Sequence, residues 1–303
     1  MTTWTNWARN VACQPADILH PRSEEEIIAI LQRARKEGRR VRMVGSGHSF
    51  TPLAETSDYL MTLQNMQGLI HVDKTRKQAR LWAGTTINAL GKLLHAEGLG
   101  QINLGDIDRQ SIAGATSTGT HGTGVQFGGI STQIVALRLI TASGEVVECS
   151  QEDANTDLFN AARVALGSLG IVTQVTLQLQ DSYKLDYRTD KASLEDTLQN
   201  LERYKAENRN FEFYWFPYTD TVQLKFSNET DAPVKDSGLK KFINQRVLEN
   251  GVFGLVCRFG RSFQGNYRRI NRLLAGFIGK EQPINYIHLI YASPRNVRLK
   301  EME

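Results

Sequence analysis

A glycine-rich stretch from Asn103 to Gly129 constrains the fold of this chain more than any other feature. Seven glycines lie in it, interspersed with serine and threonine. Small side chains expose backbone N–H groups and let the backbone approach a ligand closely. The alternative is a flexible loop, but a linker would be richer in serine and proline and would not hold Ile112 and His121 at fixed places. The stretch therefore predicts a surface that wraps a large, flat, phosphate-bearing cofactor.

A second glycine motif, Gly45-Ser46-Gly47-His48-Ser49, follows the predicted strand Val41–Val44. Successive N–H groups in such a turn can form an anion-binding nest. The motif is not the dinucleotide-binding fingerprint, because the third glycine and the long following helix are missing, and the chain has no P-loop Gly-Lys-Ser/Thr. Alone, it is better explained as a tight turn. The two glycine-rich motifs together are far more specific for a cofactor site.

Hydrophobic periodicity predicts an α+β protein with a boundary near residue 181. Ser23 and Glu26 have the spacing of a helix capping box, and Ile171–Leu179 alternates as a strand with one buried face. Aromatic residues become common after Ser182, where a helix from Ser193 to Ala206 is expected. We therefore predict one domain at 1–181 and a second at 182–303.

Composition excludes several functional classes. The net charge of +4 is too small to indicate nucleic-acid binding without a basic stripe. The three cysteines have no CxxC spacing, so neither a metal site nor a disulfide framework is expected. The longest apolar stretch, Gly251–Cys257, is too short to span a membrane, and the first ten residues lack the apolar core of a signal peptide. These features predict a soluble, cytoplasmic protein.

Five short segments carry a resemblance to a known family; they are Asn6-Trp7-Ala8, Gly45–Ser49, Asn103-Leu104-Gly105, Thr118–Gly122 and Gly167–Val172. On these segments, residues 6 to about 180 resemble the FAD-binding domain of the vanillyl-alcohol-oxidase superfamily. Within it the chain is most similar to the aldonolactone oxidoreductases, which include L-gulonolactone oxidase, D-arabinonolactone oxidase and the alditol oxidases. The resemblance implies a two-subdomain FAD-binding domain followed by an α+β cap domain that selects the substrate.

The resemblance also implies roles for individual residues. Gly45, Ser46, Gly47 and Ser49 would cradle the FAD pyrophosphate, and His48 would bond covalently to the flavin 8α-methyl carbon. The residues expected to line the rest of the FAD are Ser111, Gly114, Thr118, Gly119, Thr120, His121 and, at the adenine end, Ile171.

Two further residues are expected near the reaction. Gly105 matches the position where a glycine leaves space for oxygen beside the flavin, although a simple turn glycine explains it equally well. Glu301 matches a position that faces the substrate. The family's C-terminal His-Trp-Gly-Lys motif does not occur in this sequence, so the resemblance predicts an incomplete cap domain.

The predicted reaction is oxidation of a hydroxyl group of a sugar lactone or polyol by FAD, with oxygen as the electron acceptor and hydrogen peroxide as the product. Three alternatives stay open. They are a dehydrogenase of the same family, a catalytically inactive FAD-binding fragment, and a sugar-binding or scaffold protein without flavin.

Overall fold

The structure is a computed structural model that describes residues 2–235, 267–276 and 278–291. It divides into two compact units. The first comprises the described residues up to His121 together with Gly128–Asp181, and the second comprises Gly122–Phe127 together with the described residues from Ser182 onward.

The first unit begins with a short hairpin and a three-stranded parallel sheet of order β3-β5-β4. Its elements are β1 (Trp4–Thr5), β2 (Ala12–Cys13), β3 (Asp17–Leu19), α1 (Glu24–Lys36), β4 (Val41–Met43) and β5 (Tyr59–Met61). The predicted start of α1 is confirmed, because Ser23 Oγ accepts the Glu26 N–H at 3.3 Å. Helix α1 ends before Gly38, whose positive φ of 65° suits glycine.

A larger antiparallel sheet completes the first unit, with strand order β10-β9-β11-β7-β6 and β8 paired to β11. Its elements are β6 (Leu69–Asp73), β7 (Gln78–Trp82), α2 (Ile87–Ala96), β8 (Leu99–Gln101), α3 (Ile112–Ser117), a 3₁₀ turn (Ile130–Gln133), β9 (Ile134–Ile140), β10 (Val146–Ser150), α4 (Thr156–Ala162) and β11 (Ile171–Asp181). The predicted buried face of β11 is confirmed. The other face of β11 was predicted to be solvent-exposed. On that face Gln174 is also buried, and it accepts a hydrogen bond from Arg80 Nε at 2.5 Å.

An ion-pair network joins α1 to the larger sheet. Arg138 donates to both carboxylate oxygens of Glu24, at 2.8–3.0 Å, and Thr173 Oγ1 donates to the same carboxylate at 2.5 Å. The side chains of Glu24 and Arg138 are only 12% and 28% exposed. Burial alone would raise the pKa of Glu24, but the hydrogen bonds from Arg138 and Thr173 outweigh it and hold that pKa below its ordinary value. The charged pair therefore stabilises the packing of the helix on the sheet.

Removing this charge should make stability less dependent on pH. Because the folded-state pKa of Glu24 is lowered, its contribution is complete above the unfolded-state pKa and disappears as pH falls through the folded-state value. We expect Glu24→Gln to lower the free energy of unfolding by about 2 kcal/mol at pH 7 and by much less in acid. Urea unfolding across this pH range checks it. The exposed Glu145 supplies a control, Glu145→Gln; equal effects of the two substitutions would contradict the prediction.

The second unit contains a four-stranded antiparallel sheet of order β13-β14-β12-β15. Its elements are β12 (Lys184–Ser193), α5 (Leu194–Gln199), α6 (Leu201–Glu207), β13 (Asn210–Trp215), β14 (Thr221–Thr230), α7 (Tyr267–Gly276), β15 (Ile284–Tyr286) and α8 (Ile287–Ile290). Val222, Leu224 and Phe226 form its buried core. The predicted single helix from Ser193 to Ala206 is two helices separated at Asn200, whose side-chain Nδ2 and backbone N–H both donate to the Asp196 carbonyl, at 2.8 and 3.1 Å.

The segment Gly122–Phe127 is fixed within the second unit by two neighbouring residues. Asn210 Nδ2 donates to the Thr123 carbonyl at 2.6 Å, and the Arg209 guanidinium lies 4.4 Å from the centre of the Phe127 ring. A Cβ at Gly124 would lie 2.5 Å from the Arg209 carbonyl oxygen, so the two backbones are in direct contact. The last part of the glycine-rich stretch therefore departs from the unit that holds its beginning.

No helix within the described ranges is both long enough and apolar enough to cross a lipid bilayer.

Candidate functional site

The first glycine motif forms a loop with free backbone donors. Strand β4 ends where the Val44 N–H bonds to the Met61 carbonyl at 2.9 Å, and the chain then enters Gly45–Phe50, which we call the cradle loop. In the part of the chain that the structure describes, none of the backbone N–H groups of the cradle loop has a hydrogen-bond acceptor. Gly47 has a positive φ of 70°, which glycine adopts readily. The loop therefore offers a run of unpaired donors to an anion.

The second glycine motif meets the cradle loop at helix α3. A Cβ on Gly45 would overlap Ser111 Oγ and would lie 3.5 Å from the Gly114 Cα. Ser111 is the N-cap of α3, where its Oγ accepts the Gly114 N–H at 3.3 Å. Two sequence motifs separated by more than sixty residues therefore lie in contact, and this contact requires glycine at 45.

The N-terminal donors of α3 are already used inside the protein. The Ile112 N–H bonds to the Thr85 carbonyl at 2.8 Å, and the Ala113 N–H bonds to the Ala83 carbonyl at 3.2 Å. An anion at this site would therefore be bound by the cradle loop and not by the end of the helix.

The run Thr118–His121 forms a turn directly after α3. Thr118 caps the helix, and Gly119 has a positive φ of 68°. Thr120 is fixed from two sides, since its hydroxyl accepts from Gln110 Nε2 at 3.0 Å and its carbonyl accepts the Ile130 N–H at 2.8 Å. His121 is exposed. The predicted lining residues thus lie on a hydrogen-bonded turn, whose contact with a cofactor stays a prediction.

Gly105 lies against the backbone of this turn. A Cβ there would lie 2.8 Å from the His121 carbonyl oxygen and 3.7 Å from the Thr120 Cγ2 methyl. Gly105 is buried and does not have a positive φ, so a strained turn conformation is not the reason for glycine at this position. The close approach of the His121 carbonyl gives a steric reason for it.

His48 is half-buried and stacked on an aromatic ring. Its imidazole centroid lies 5.2 Å from that of Trp7, with 27° between the planes. Burial lowers the pKa of His48, and the Arg109 charge lowers it further, while Asp108 opposes both. The imidazole is therefore neutral at physiological pH, with a nitrogen lone pair available as a nucleophile.

A short N-terminal segment holds the other side of the cradle loop. This N-terminal hairpin, Trp4–Cys13, donates three hydrogen bonds to backbone carbonyls of the cradle loop. The Trp7 N–H donates to Gly47 at 2.8 Å, Asn6 Nδ2 to Ser49 at 2.9 Å, and Asn10 Nδ2 to Phe50 at 2.9 Å. Sequence reasoning used Asn6 and Trp7 only as family markers and missed Asn10. The turn-forming Asn-Trp-Ala-Arg-Asn pattern was the available signal.

The two remaining predicted site residues lie outside the two glycine motifs, and their contact with a cofactor or substrate stays a prediction. Ile171 begins β11, where it is paired with Ile140 and its side chain is buried. Glu301 lies outside the described residues. Within the described residues, no three His, Cys, Asp or Glu side chains are grouped so that they could hold a metal ion.

The site fits an FAD diphosphate on its own geometry. Consecutive free N–H groups on a glycine loop are the donor set that phosphate oxygens accept, and glycine at 45 and 114 keeps both motifs free of side-chain bulk.

Solved structures match the fold of this chain. The described fold matches cholesterol oxidase from Brevibacterium sterolicum with a TM-score of 0.73 at 18% identity, covering 90% of this chain and 56% of that one. It matches alkyldihydroxyacetonephosphate synthase with a TM-score of 0.64 at 16% identity, covering 71% and 47%. At these identities the likeness concerns the fold alone, which is the FAD-binding fold of the vanillyl-alcohol-oxidase type.

Sequence comparisons narrow the class to a family. Residues 15–150 match the family described as FAD binding domain, and residues 175–303 match D-arabinono-1,4-lactone oxidase. L-gulono-1,4-lactone dehydrogenase of Mycobacterium tuberculosis is 38% identical over 301 residues, which are 99% of this chain and 69% of that protein. L-gulonolactone oxidase of Bos taurus is 37% identical over 77% of this chain and 52% of its own length. This chain belongs to the aldonolactone oxidoreductase family of FAD-dependent enzymes.

The chain spans about half the length of several curated relatives it matches. For D-arabinono-1,4-lactone oxidase of Candida albicans, 32% identical over 77% of this chain, the share is 44%.

Proposed function

We propose that the protein oxidises a hydroxyl group of a sugar lactone or polyol through bound FAD, with oxygen as the electron acceptor and hydrogen peroxide as the product. The observation that carries this proposal is the cradle loop, with its unpaired N–H groups in contact with the second glycine motif. The substrate class is supported by the relatives, whose names are those of lactone oxidases and dehydrogenases.

In this proposal the residues of the chain bind and orient the cofactor. The N–H groups of Gly45–Ser49 would donate hydrogen bonds to the diphosphate oxygens, and Ser111 with the turn Thr118–His121 would line the remainder of FAD. Ile171 contributes backbone contacts at the adenine end. When bound, FAD supplies the two-electron oxidation chemistry, and the protein supplies orientation and electrostatics.

We further propose that His48 is bonded to the flavin. His48 would hold the flavin through a C–N bond from its neutral imidazole to the 8α-methyl carbon. Forming that bond would remove one proton from the methyl group, one proton from the imidazole N–H and two electrons, and oxygen would take these up as hydrogen peroxide. Support comes from the lowered pKa of His48 and from its place directly on the cradle loop.

The activity is tested by anaerobic mixing of the purified protein with L-gulono-1,4-lactone or D-arabinono-1,4-lactone. Bleaching of the flavin absorbance by a lactone supports the proposal, and admission of oxygen should restore the colour and yield hydrogen peroxide. A yellow protein that no lactone or polyol bleaches is an inactive FAD-binding form. A colourless preparation that does not take up FAD would reject the flavoenzyme proposal altogether.

A dehydrogenase is the second candidate, because the relative that matches 99% of this chain is named a dehydrogenase. In that case lactone would bleach the flavin, but oxygen would restore the colour only slowly and an artificial electron acceptor rapidly.

Gly105 offers a test of oxygen access. If the space at Gly105 admits oxygen, Gly105→Ala should slow reoxidation of photoreduced flavin about tenfold, which is roughly 1.4 kcal/mol of barrier. The added methyl also meets the His121 carbonyl at 2.8 Å, so a shift of that turn is the competing cause. Stopped-flow reoxidation is therefore compared with FAD affinity and melting temperature. A loss of affinity and stability without slower reoxidation would reject the role in oxygen access.

A further inference from the structure

We propose that the N-terminal hairpin is the positioning element of the cofactor site: Asn6 and Asn10, with the backbone of Trp7, hold the carbonyl side of the cradle loop and thereby keep its N–H groups available to the FAD diphosphate. The inference rests on the proposed FAD site, but it depends neither on the bond to His48 nor on the identity of the substrate.

The planarity of the peptide bond links the two sides of the loop. In a trans peptide unit the C=O of one residue and the N–H of the next point in opposite directions. The hairpin fixes the carbonyls of Gly47, Ser49 and Phe50. It therefore fixes the direction of the His48, Phe50 and Thr51 N–H groups, which point away from the hairpin and have no acceptor in the described protein.

Asn6 has the chemistry that this role requires. Its side chain is 3% exposed, and it uses both ends of the amide. Nδ2 donates to Asn10 Oδ1 at 2.7 Å and to the Ser49 carbonyl at 2.9 Å, while Oδ1 accepts the Val11 N–H at 3.1 Å. An aspartate of the same shape would keep the bond to Val11 but could not donate to Ser49. Asn6 thus connects the turn of the hairpin to the loop.

The aromatic residues of the hairpin complete the contact. A Cβ on Gly47 would lie 3.3 Å from Trp4 Cζ2 and 3.6 Å from the Asn6 Cα, so the hairpin packs directly on the glycine of the loop. The Trp7 ring covers the His48 imidazole, as described above. The hairpin therefore contacts the cradle loop at several consecutive residues and not at a single position.

The experiment measures reversible FAD affinity in the full chain carrying His48→Ala, so that a covalent bond cannot mask a loss of affinity. Asn6→Asp and Asn10→Asp remove the donors to the loop. Asn65→Asp is the matched control, because Asn65 Nδ2 also donates to a distant backbone carbonyl, that of His20, at 3.0 Å. Quenching of FAD fluorescence gives the dissociation constant, and circular dichroism with the melting temperature of the apoprotein reports folding.

We expect Asn6→Asp to weaken FAD binding at least tenfold and Asn10→Asp about threefold, with Asn65→Asp unchanged. Asn10 is exposed, so its variant decides the matter if Asn6→Asp does not fold. Parental FAD affinity in a folded Asn10→Asp protein would overturn the inference, as would an equal loss in the Asn65 control. Absence of saturable FAD binding in the His48→Ala parent would reject the proposed site itself, whereas lack of lactone oxidation leaves this measurement unaffected.

Discussion

Replacing His48 with alanine is expected to abolish acid-stable flavin completely while leaving reversible FAD binding in place. The wild-type protein should remain yellow after acid precipitation, and its proteolytic peptide containing His48 should carry the mass of the flavin. In the variant the cradle loop keeps its N–H groups, since these belong to the backbone, so FAD is still bound but is released by acid. Lactone oxidation should fall strongly, because the flavin is then no longer held by a bond to the protein.

The control for this prediction is His71→Ala, which removes an exposed imidazole on β6. Its acid-stable flavin should equal that of the wild type. Release of all FAD from the wild-type protein by acid would refute the covalent bond and would leave the FAD site itself standing.

Incorporation of FAD into the apoprotein should also depend on pH. The pKa of His48 is lowered chiefly by burial, so the neutral nucleophile persists to a lower pH than for a solvent-exposed histidine. The rate of covalent incorporation should be constant at neutral pH and should fall only once pH drops below the ordinary histidine range. A rate that rises in acid would contradict the role of a neutral imidazole.

Replacing Gly84 with alanine should lower the free energy of unfolding by about 3 kcal/mol, more than the Glu24→Gln substitution. A Cβ at this buried position would overlap the Leu63 carbonyl and would lie 2.7 Å from the Met66 carbonyl oxygen, so backbone must move. The neighbouring carbonyls of Ala83 and Thr85 accept the first N–H groups of α3. Displacement of this segment should therefore loosen α3 and weaken FAD binding as well.

Urea unfolding and FAD titration measure the two effects. Gly276→Ala serves as the control, because among the described residues no atom outside its own helix and chain neighbours lies within 4 Å of a Cβ added there, and its φ is not positive. The control should change stability by a few tenths of a kcal/mol. A Gly84→Ala protein as stable as the wild type would contradict the prediction, because the backbone around Gly84 would then move without loss of stability.

Local patterns in the sequence predicted much of this molecule. The capping residue Ser23 begins α1, and the alternation of Ile171–Leu179 forms the central strand β11, because both signals depend on neighbours within a few positions. The same locality explains one error. Asn200 separates the two helices, and its side chain bonds to its own i−4 carbonyl, a contact that apolar periodicity does not reveal.

The sequence by itself determined the family and the two glycine motifs, because small residues at fixed spacing are required wherever the backbone must approach a diphosphate closely. Only the tertiary structure decided which backbone donors are free. The first N–H groups of α3 bond to the carbonyls of Ala83 and Thr85, whereas those of the cradle loop have no acceptor among the described residues and three of the loop's carbonyls bond to a hairpin some forty residues earlier. Likewise, Gly122–Phe127 belongs to the second unit, where it contacts residues distant in sequence that include Arg209 and Asn210. A pattern of nearest neighbours contains no information about such partners, since chain folding alone brings them together.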